Sequence, residues 1–182
     1  IQGSDLSKNK NTERLSKAQI KIYLGHEKKN LKKATMIVIS SAIKKKNKEL
    51  IAARSKKLPI FTRGEMLANI VALKKNIIIT GSHGKTTTTS LVANILVEGG
   101  LDPTVINGGV INSLKNNAQL GKGDWAVIES DESDGSFLKL PITYSIVTNI
   151  DKEHLDFYGS FDKLKKSFCS FIDKTPSFGK SI

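Results

Sequence analysis

The sequence predicts an α/β chain built on parallel sheets. Three observations carry that prediction. Short β-branched apolar runs alternate with helical stretches along most of the length. One junction, Ile77-Ile78-Ile79-Thr80-Gly81-Ser82-His83-Gly84-Lys85-Thr86-Thr87-Thr88-Thr89, has the strand–loop–helix grammar of a phosphate-binding loop. Beyond two later apolar runs stand acids, an asparagine and a histidine, in the position where open parallel sheets bind ligands.

Taken in order, residues 1–5 read as a strand end and loop, and a short helix is expected near Thr12–Lys17. Ile20–Leu24 reads as a strand, with Gly25-His26 as the turn after it. Ala34–Ile39 is a nearly continuous apolar run ending in Ser40-Ser41, the pattern of a parallel strand buried on both faces. A lysine-rich helix over Asn47–Ser55, a strand over Pro59–Thr62 and a helix over Arg63–Leu73 complete a βαβ rhythm. It implies one doubly wound sheet for residues 1–73.

A second unit, residues 74–182, opens with the strand at Ile77. Its first helix offers Leu91, Val92, Ile95 and Leu96 as apolar positions, and Gly99-Gly100 stops it. Thr104–Ile106 reads as a strand and Asn107-Gly108-Gly109 as a turn. Trp125–Ile128 is a buried strand that delivers Glu129, and Tyr144–Thr148 one that delivers Asn149, Asp151 and His154. The helix Asp162–Asp173 is expected to bury Leu164, Phe168, Phe171 and Ile172, with Cys169 as a buried thiol.

Composition narrows the classes. Hydrophobic residues at 38% and charged residues at 25% of 182 are ordinary for a soluble globular protein. No apolar run reaches membrane-spanning length and no signal-peptide pattern opens the chain. One cysteine excludes an internal disulfide and a cysteine-rich zinc site, and a reduced cytoplasmic setting fits. The net charge of +12 raises the question of nucleic acid. Against it, the lysines are dispersed in pairs and triplets, arginine is scarce, and aromatics do not alternate with the basic residues. A lysine-biased solvated surface accounts for the charge. Ile1 is not a methionine and both ends are abrupt, which points to a fragment.

At the loop, backbone N–H groups and the positive end of a helix would converge on one anionic site. Lys85 would lie along the β- and γ-phosphates and the Thr86 hydroxyl would ligate Mg²⁺. Only the short Gly-x-x-Gly-Lys-Thr form is present, because Ile79 stands where the longer pattern asks for glycine. The alternative is an ordinary βα turn with a solvated lysine. Glu129 has the chemistry of an Mg²⁺ ligand, and His154 could hold a second ion or contact phosphate. The run Glu129-Ser130-Asp131-Glu132-Ser133-Asp134 packs so many acids together that they would repel without a cation. His26 and His83, each taken alone, read as structural or solvent-facing.

Three runs together resemble a known family: Gly81-Ser82-His83-Gly84-Lys85-Thr86-Thr87, Glu129-Ser130-Asp131-Glu132-Ser133-Asp134-Gly135-Ser136-Phe137, and Asn149-Ile150-Asp151 with His154, Asp156 and Tyr158. The family is the UDP-N-acetylmuramate–L-alanine ligases, the first of the amino-acid-adding ligases of bacterial cell-wall synthesis. Gly3-Ser4-Asp5, Gly25-His26, Ser40-Ser41-Ala42-Ile43 and Arg63-Gly64-Glu65-Met66-Leu67 add to the match, which covers nearly the whole chain. The ligase that recycles murein tripeptide looks similar at the loop, but its acidic segment continues Tyr-Asp-Thr where this chain has Ser133-Asp134-Gly135.

The resemblance implies a truncated Rossmann-like UDP-binding domain over 1–73, lacking its first βα unit. The start of a P-loop-type parallel-sheet ATPase domain would follow over 74–182. It implies ATP and Mg²⁺ as cofactors, UDP-N-acetylmuramate and L-alanine as substrates, and ligation through an acyl phosphate, with the fragment inactive alone. By the same likeness, Lys85, Glu129 and His154 are catalytic, and Thr86, Glu129 and His154 bind metal. Gly81, Ser82, His83, Gly84, Lys85, Thr86 and Thr87 cradle the nucleotide phosphates. Asp5, His26, Ser40, Ser41, Arg63, His83, Asp134, Gly135, Ser136 and Phe137 face the UDP-sugar. No residue here stands for the carbamylated lysine of sister ligases. The rival class is a P-loop switch or hydrolase without ligase activity.

Overall fold

The computed structural model describes residues 1–40, 42–111 and 116–182. They divide into two compact units, Ile1–Arg63 and Gly64–Ile182. The first holds β1 (Gln2–Asp5), α1 (Lys10–Lys17), β2 (Lys21–Leu24), a 3₁₀ turn at Lys28–Leu31, β3 (Ile37–Ile39), α2 (Lys48–Ser55) and β4 (Ile60–Thr62). Both helices start where asparagine can cap them. The Asn9 side chain accepts the amides of Asn11 and Thr12 at the head of α1, and Asn47 does the same for Glu49 and Leu50 at the head of α2.

The strands of this unit do not form the single doubly wound sheet expected. β1 pairs parallel with β2, and β3 parallel with β4, in two separate two-stranded sheets. Each strand was legible from its own residues, but pairing is non-local and left no mark in the local pattern. The apolar run at Ala34 also yields a shorter strand, Ile37–Ile39, with Met36 and Val38 exposed. Ile37 and Ile60 pack with Leu31, Ala52 and Ala53, whereas Val38 takes the opposite face by the period of a strand. One covered face is all this sheet has among the described residues.

The second unit takes in α3 (Arg63–Val71), β5 (Lys75–Thr80), α4 (Lys85–Glu98), β6 (Thr104–Ile111), β7 (Asn116–Gln119), β8 (Trp125–Glu129), a 3₁₀ turn at Ser136–Lys139, β9 (Tyr144–Val147), α5 (Leu155–Tyr158) and α6 (Phe161–Ile172). α3 was expected to close the first domain. It sends Leu67, Ala68 and Val71 into the core of the second compact unit, which starts at Gly64.

The five strands run in the order β7-β6-β8-β5-β9, parallel except for the antiparallel β6–β7 pair. Alternation along the strands sorts their side chains onto two faces. Ile78, Ala126 and Ile128 meet Phe137, Leu164, Phe168 and Phe171 on one face, while Ile79, Val105 and Val127 meet Ala93, Val92 and Leu96 of α4 on the other.

Of the apolar positions of α4, Leu91 and Ile95 are 58% and 69% exposed, because the buried stripe of the helix runs through Thr89 and Ala93. Two local expectations are corrected. Asn107-Gly108-Gly109 is not a turn but part of β6, whose pairing with β7 shifts register between Ile106 and Ile111. Glycines suit such an irregularity better than they suit a regular strand. Cys169 is exposed, since its neighbours Phe168 and Phe171 take the inward positions of α6.

Candidate functional site

The topology opens a crevice before any side chain is considered. α4 leads from β5 to β6 across one face, past β8. The segment after β8 leads to β9 across the other face, past β5. The exits of β5 and β8 therefore diverge, the arrangement in which parallel sheets bind ligands. β9 lies on the other side of β5, so the loop after β5 stands between the ends of β8 and β9.

That loop is Gly81–Gly84. Gly81 has φ +130°, and a Cβ there would lie 2.3 Å from Thr148 Oγ1 and 2.8 Å from the Asn149 carbonyl oxygen. Gly84, at φ +79°, is the residue from which α4 starts. The exit of β9 clamps the loop. Ser82 N–H donates to the Asn149 carbonyl at 3.0 Å, and His83 N–H to Asn149 Oδ1 at 2.9 Å. Asn149 Nδ2 and Thr148 Oγ1 donate back to the His83 carbonyl at 3.0 and 2.6 Å. Ser82 Oγ accepts the Asp151 N–H at 2.8 Å, so its hydroxyl serves the loop's shape. Beyond Gly84 the first turn of α4 presents Lys85, Thr86 and Thr87, whose N–H groups have no partner inside the helix. Thr86 and Thr87 are exposed.

Lys85 is folded back on this loop. Its Nζ donates to the carbonyls of Gly81 and Ser82 and pairs with Glu132, 3.0 Å from Oε2 and 3.3 Å from Oε1. The Glu132 carboxylate also lies 3.6 Å from His154 Nε2. Asp131, Glu132 and His154 together bring donor atoms within 4.8 Å of one another, a set able to hold a divalent cation. His154 reaches it from a left-handed backbone position, φ +53°, at the head of α5.

Glu129 is not in that set. It ends β8 opposite Ile79, the last strand pair before the loop. Its Oε2 is buried and has no hydrogen-bond partner among the described residues. A buried acceptor without a donor is costly unless something satisfies it. A hard cation would do so, and the Thr86 hydroxyl and Glu129 carboxylate are oxygen donors of the kind Mg²⁺ takes.

The acidic segment then turns. Asp134 Oδ1 accepts the Ser136 N–H at 2.9 Å, and bonds from the Ser136 side chain and backbone hold its carboxyl below the usual carboxylate range. Gly135, at φ +69°, lets the chain reverse against Phe157. The turn drops Phe137 into the core, fully buried with ring centroids 5.4 Å from Phe168 and 5.2 Å from Phe171. Phe137 is therefore a core residue, and the expectation that it faces a sugar is corrected. His83 is exposed, with Nε2 3.5 Å from Asp151 Oδ2 and 3.8 Å from Glu153 Oε1.

The first unit has its own cavity, about 340 Å³, lined by Ser4, His26, Ser40, Asn47, Glu49 and Arg63 among others. Three of the expected sugar-facing residues, His26, Ser40 and Arg63, thus share one wall. Glu49 organises it: its carboxylate accepts from Ser4 Oγ at 2.6 Å and Asn30 Nδ2 at 2.6 Å, and meets His26 Nδ1 at 3.2 Å. Asp5 does not line the cavity; the Asn9 side chain, then the Ser7 N–H, hold its carboxyl below the ordinary range. Ser41 lies outside the described residues.

Sequence reasoning missed Glu132, Tyr158, whose hydroxyl donates to the Glu132 carbonyl, and Glu49 as site residues. The first two stand inside runs quoted for the family likeness, so a signal existed. Glu49 sits in a lysine-rich helix with nothing to single it out.

Comparison with known proteins agrees with this geometry. The model of the Mur ligase family catalytic domain matches residues 1–75, and that of the Mur ligase middle domain matches residues 79–182. Over all 182 residues the chain is 65% identical to the UDP-N-acetylmuramate–L-alanine ligase of Pelagibacter ubique and 53% identical to that of Azorhizobium caulinodans. It spans 39% of the length of each. The crystal structure of UDP-N-acetylmuramate-alanine ligase MurC from Thermotoga maritima superposes with a TM-score of 0.84 at 31% identity, covering 96% of this chain and 41% of that one. A Neisseria ligase acting with L-alanyl-γ-D-glutamyl-meso-diaminopimelate shares the fold, at TM-score 0.86 and 24% identity.

Proposed function

The chain belongs to the Mur ligase family, and we propose that it forms the UDP-sugar-binding and nucleotide-binding parts of an ATP-dependent UDP-N-acetylmuramate–L-alanine ligase. The reaction would serve peptidoglycan precursor synthesis in the cytoplasm. The observation that carries the reading is 65% identity to such a ligase along the whole chain. The loop geometry supports it: Lys85 and the open turn of α4 follow β5, and Glu129, whose Oε2 is buried with no hydrogen-bond partner among the described residues, ends the neighbouring strand β8.

In the proposed reaction a muramyl carboxylate oxygen attacks the γ-phosphorus of ATP. The bond from that phosphorus to the β–γ bridging oxygen breaks and ADP leaves. The amine of L-alanine then attacks the acyl carbon, the bond to the phosphate oxygen breaks, and inorganic phosphate and a proton depart. The first step brings anion to anion, so positioning and charge neutralisation do most of the work. Lys85 would hold the transferring phosphoryl group, while Gly81–Gly84 and the first amides of α4 would cradle the phosphates. Thr86 and Glu129 would hold one Mg²⁺ and His154 a second, ions that when bound would supply positive charge to the phosphate oxygens. Residues 1–73 would take the UDP-sugar, with His26, Ser40 and Arg63 on the cavity wall and Asp5 and Ser41 contributing as the family likeness implies. The same likeness gives His83 and the turn Asp134–Ser136 of the second unit a sugar-facing role. The 182 residues alone would not complete the reaction, since domain closure is what normally keeps acyl phosphate and amine together and water out.

The test is ADP release by a full-length ligase that contains this chain, with product identified by mass. Expected is ADP release that requires UDP-N-acetylmuramate together with L-alanine, abolished by Lys85→Ala in a folded protein. ATP hydrolysis indifferent to UDP-N-acetylmuramate would instead identify a switch or hydrolase. Product formed from the tripeptide but not from L-alanine would identify the recycling ligase.

A further inference from the structure

We infer that Glu132 is a positioning residue: it holds Lys85 against the loop, and nucleotide phosphate must compete with it. This rests on the proposed nucleotide-binding role of the loop.

The asymmetry of the pair carries the argument. The Glu132 side chain is 1% exposed, whereas Lys85 is 16% exposed at the end of a flexible stem. The backbone of Glu132 is pinned as well, its carbonyl accepting from the Tyr158 hydroxyl and from the Gly135 N–H at 3.1 Å. When a phosphate enters, Lys85 can swing to it, but Glu132 cannot follow. A buried carboxylate is left behind, facing a polyanion, with Asp131 adding a second negative charge and His154 the nearest remaining base. Breaking a buried pair in this way is unfavourable in itself, and the residual charge repels the ligand that caused it. The ion pair therefore opposes binding of bare nucleotide. A divalent cation arriving with the nucleotide offsets that opposition. Glu132 thus biases the loop toward the metal complex of its ligand over the free polyanion, and prepositions Lys85 beside the loop until that complex arrives.

The test measures ATP affinity by titration calorimetry, in EDTA and in excess Mg²⁺, for the wild-type protein, Glu132→Gln and Glu132→Asp. The amide keeps shape and hydrogen-bonding capacity but removes the charge. Expected is about tenfold tighter ATP binding by Glu132→Gln in EDTA, with the gain shrinking in Mg²⁺, while Glu132→Asp follows wild type. A Glu132 that only supports the fold would give equal or weaker binding in both conditions, and that result overturns the inference. ATP binding by no protein in either condition overturns the nucleotide reading and this inference with it. If Glu132→Gln does not fold, thermal denaturation of Lys85→Met and Lys85→Met/Glu132→Gln decides the pairing. The double variant should be the more stable, since it leaves no orphan carboxylate, and the opposite order overturns the pairing.

Discussion

Two glycines three residues apart in the loop make a controlled comparison. Gly81→Ala puts a Cβ 2.3 Å from Thr148 Oγ1, 2.8 Å from the Asn149 carbonyl oxygen and 3.0 Å from the Thr148 nitrogen, at φ +130°. Two of those three atoms are backbone of the strand exit that clamps the loop, so a rotamer change cannot relieve the contact. Backbone strain of about 1–3 kcal/mol and overpacking of about 1–3 kcal/mol sum to about 2–6 kcal/mol. Gly84→Ala, at φ +79°, meets nothing within 4 Å. It costs only the left-handed penalty of about 1–2 kcal/mol. For a chain of 182 residues each kcal/mol is worth about 2–4 °C in Tm. Thermal melts of both variants should therefore place Gly81→Ala clearly below Gly84→Ala. Adding Thr148→Ala to Gly81→Ala removes the nearest contact alone and should recover part of the difference. Equal melting temperatures, or the reverse order, would refute the claim that close approach of β9 shapes the loop.

Asn149→Ala removes two hydrogen bonds to His83, each worth about 0.5–1.5 kcal/mol. Amide exchange at His83 should accelerate while exchange in the core of β5 does not; unchanged protection at His83 would show that the clamp is idle. Burial, then the charges of Glu132, Asp134 and Asp131, push the Tyr158 hydroxyl from 10.0 up to about 12. Because the folded value is the higher one, the contribution is complete below pH 10 and is lost as pH rises through about 12. In an ultraviolet titration one of the three tyrosines should ionise late, and Tyr158→Phe should remove that step and soften the alkaline loss of stability. Three tyrosines titrating together near 10 would contradict the burial of this hydroxyl.

How much of this the sequence disclosed depended on how local the cause was. The β5–loop–α4 junction was legible because apolar strand, turning glycines and capping position follow one another directly. Glu129 and His154 were legible as strand-end residues for the same reason. The sheet partners in the first unit were not, since nothing in Ile20–Leu24 states whether it pairs with the strand before it or the one after. Asn107-Gly108-Gly109 misled because the same residues that make turns also fill irregular edges of a sheet, and only the partner strand β7 decides between them. Which apolar positions of α4 are buried was not legible, because a helix rich in apolar residues offers more than one stripe, and the strands beneath α4 select it. Phe137 misled because the turn at Gly135 and the 3₁₀ turn after it set where its side chain goes, and those follow backbone dihedrals and not spacing. Glu132 was hidden in plain view: six adjacent residues hold four acids, and only the fold shows which of them points at Lys85.

Those four acids bear on the kind of anion the site is built for. A chain with net charge +12 has cations to spare, yet four acids, Glu129, Asp131, Glu132 and Asp134, follow one another from the end of β8, with Glu132 on Lys85 of the loop. A groove meant for nucleic acid would lose by this, because phosphates along a backbone would meet carboxylates with a single lysine between them. A site for a free small anion would lose as well, since the acids repel it at close range in a partly dry environment. Under the proposed function, phosphate would arrive already paired with a divalent cation: Glu129 would help hold the cation, and Lys85 and the amides of α4 would bind the phosphate. Each sign of charge in the crevice has a partner on the same ligand. On that argument the loop and the acids are one site, and the strand order that sets β8 beside β5 is what joins them.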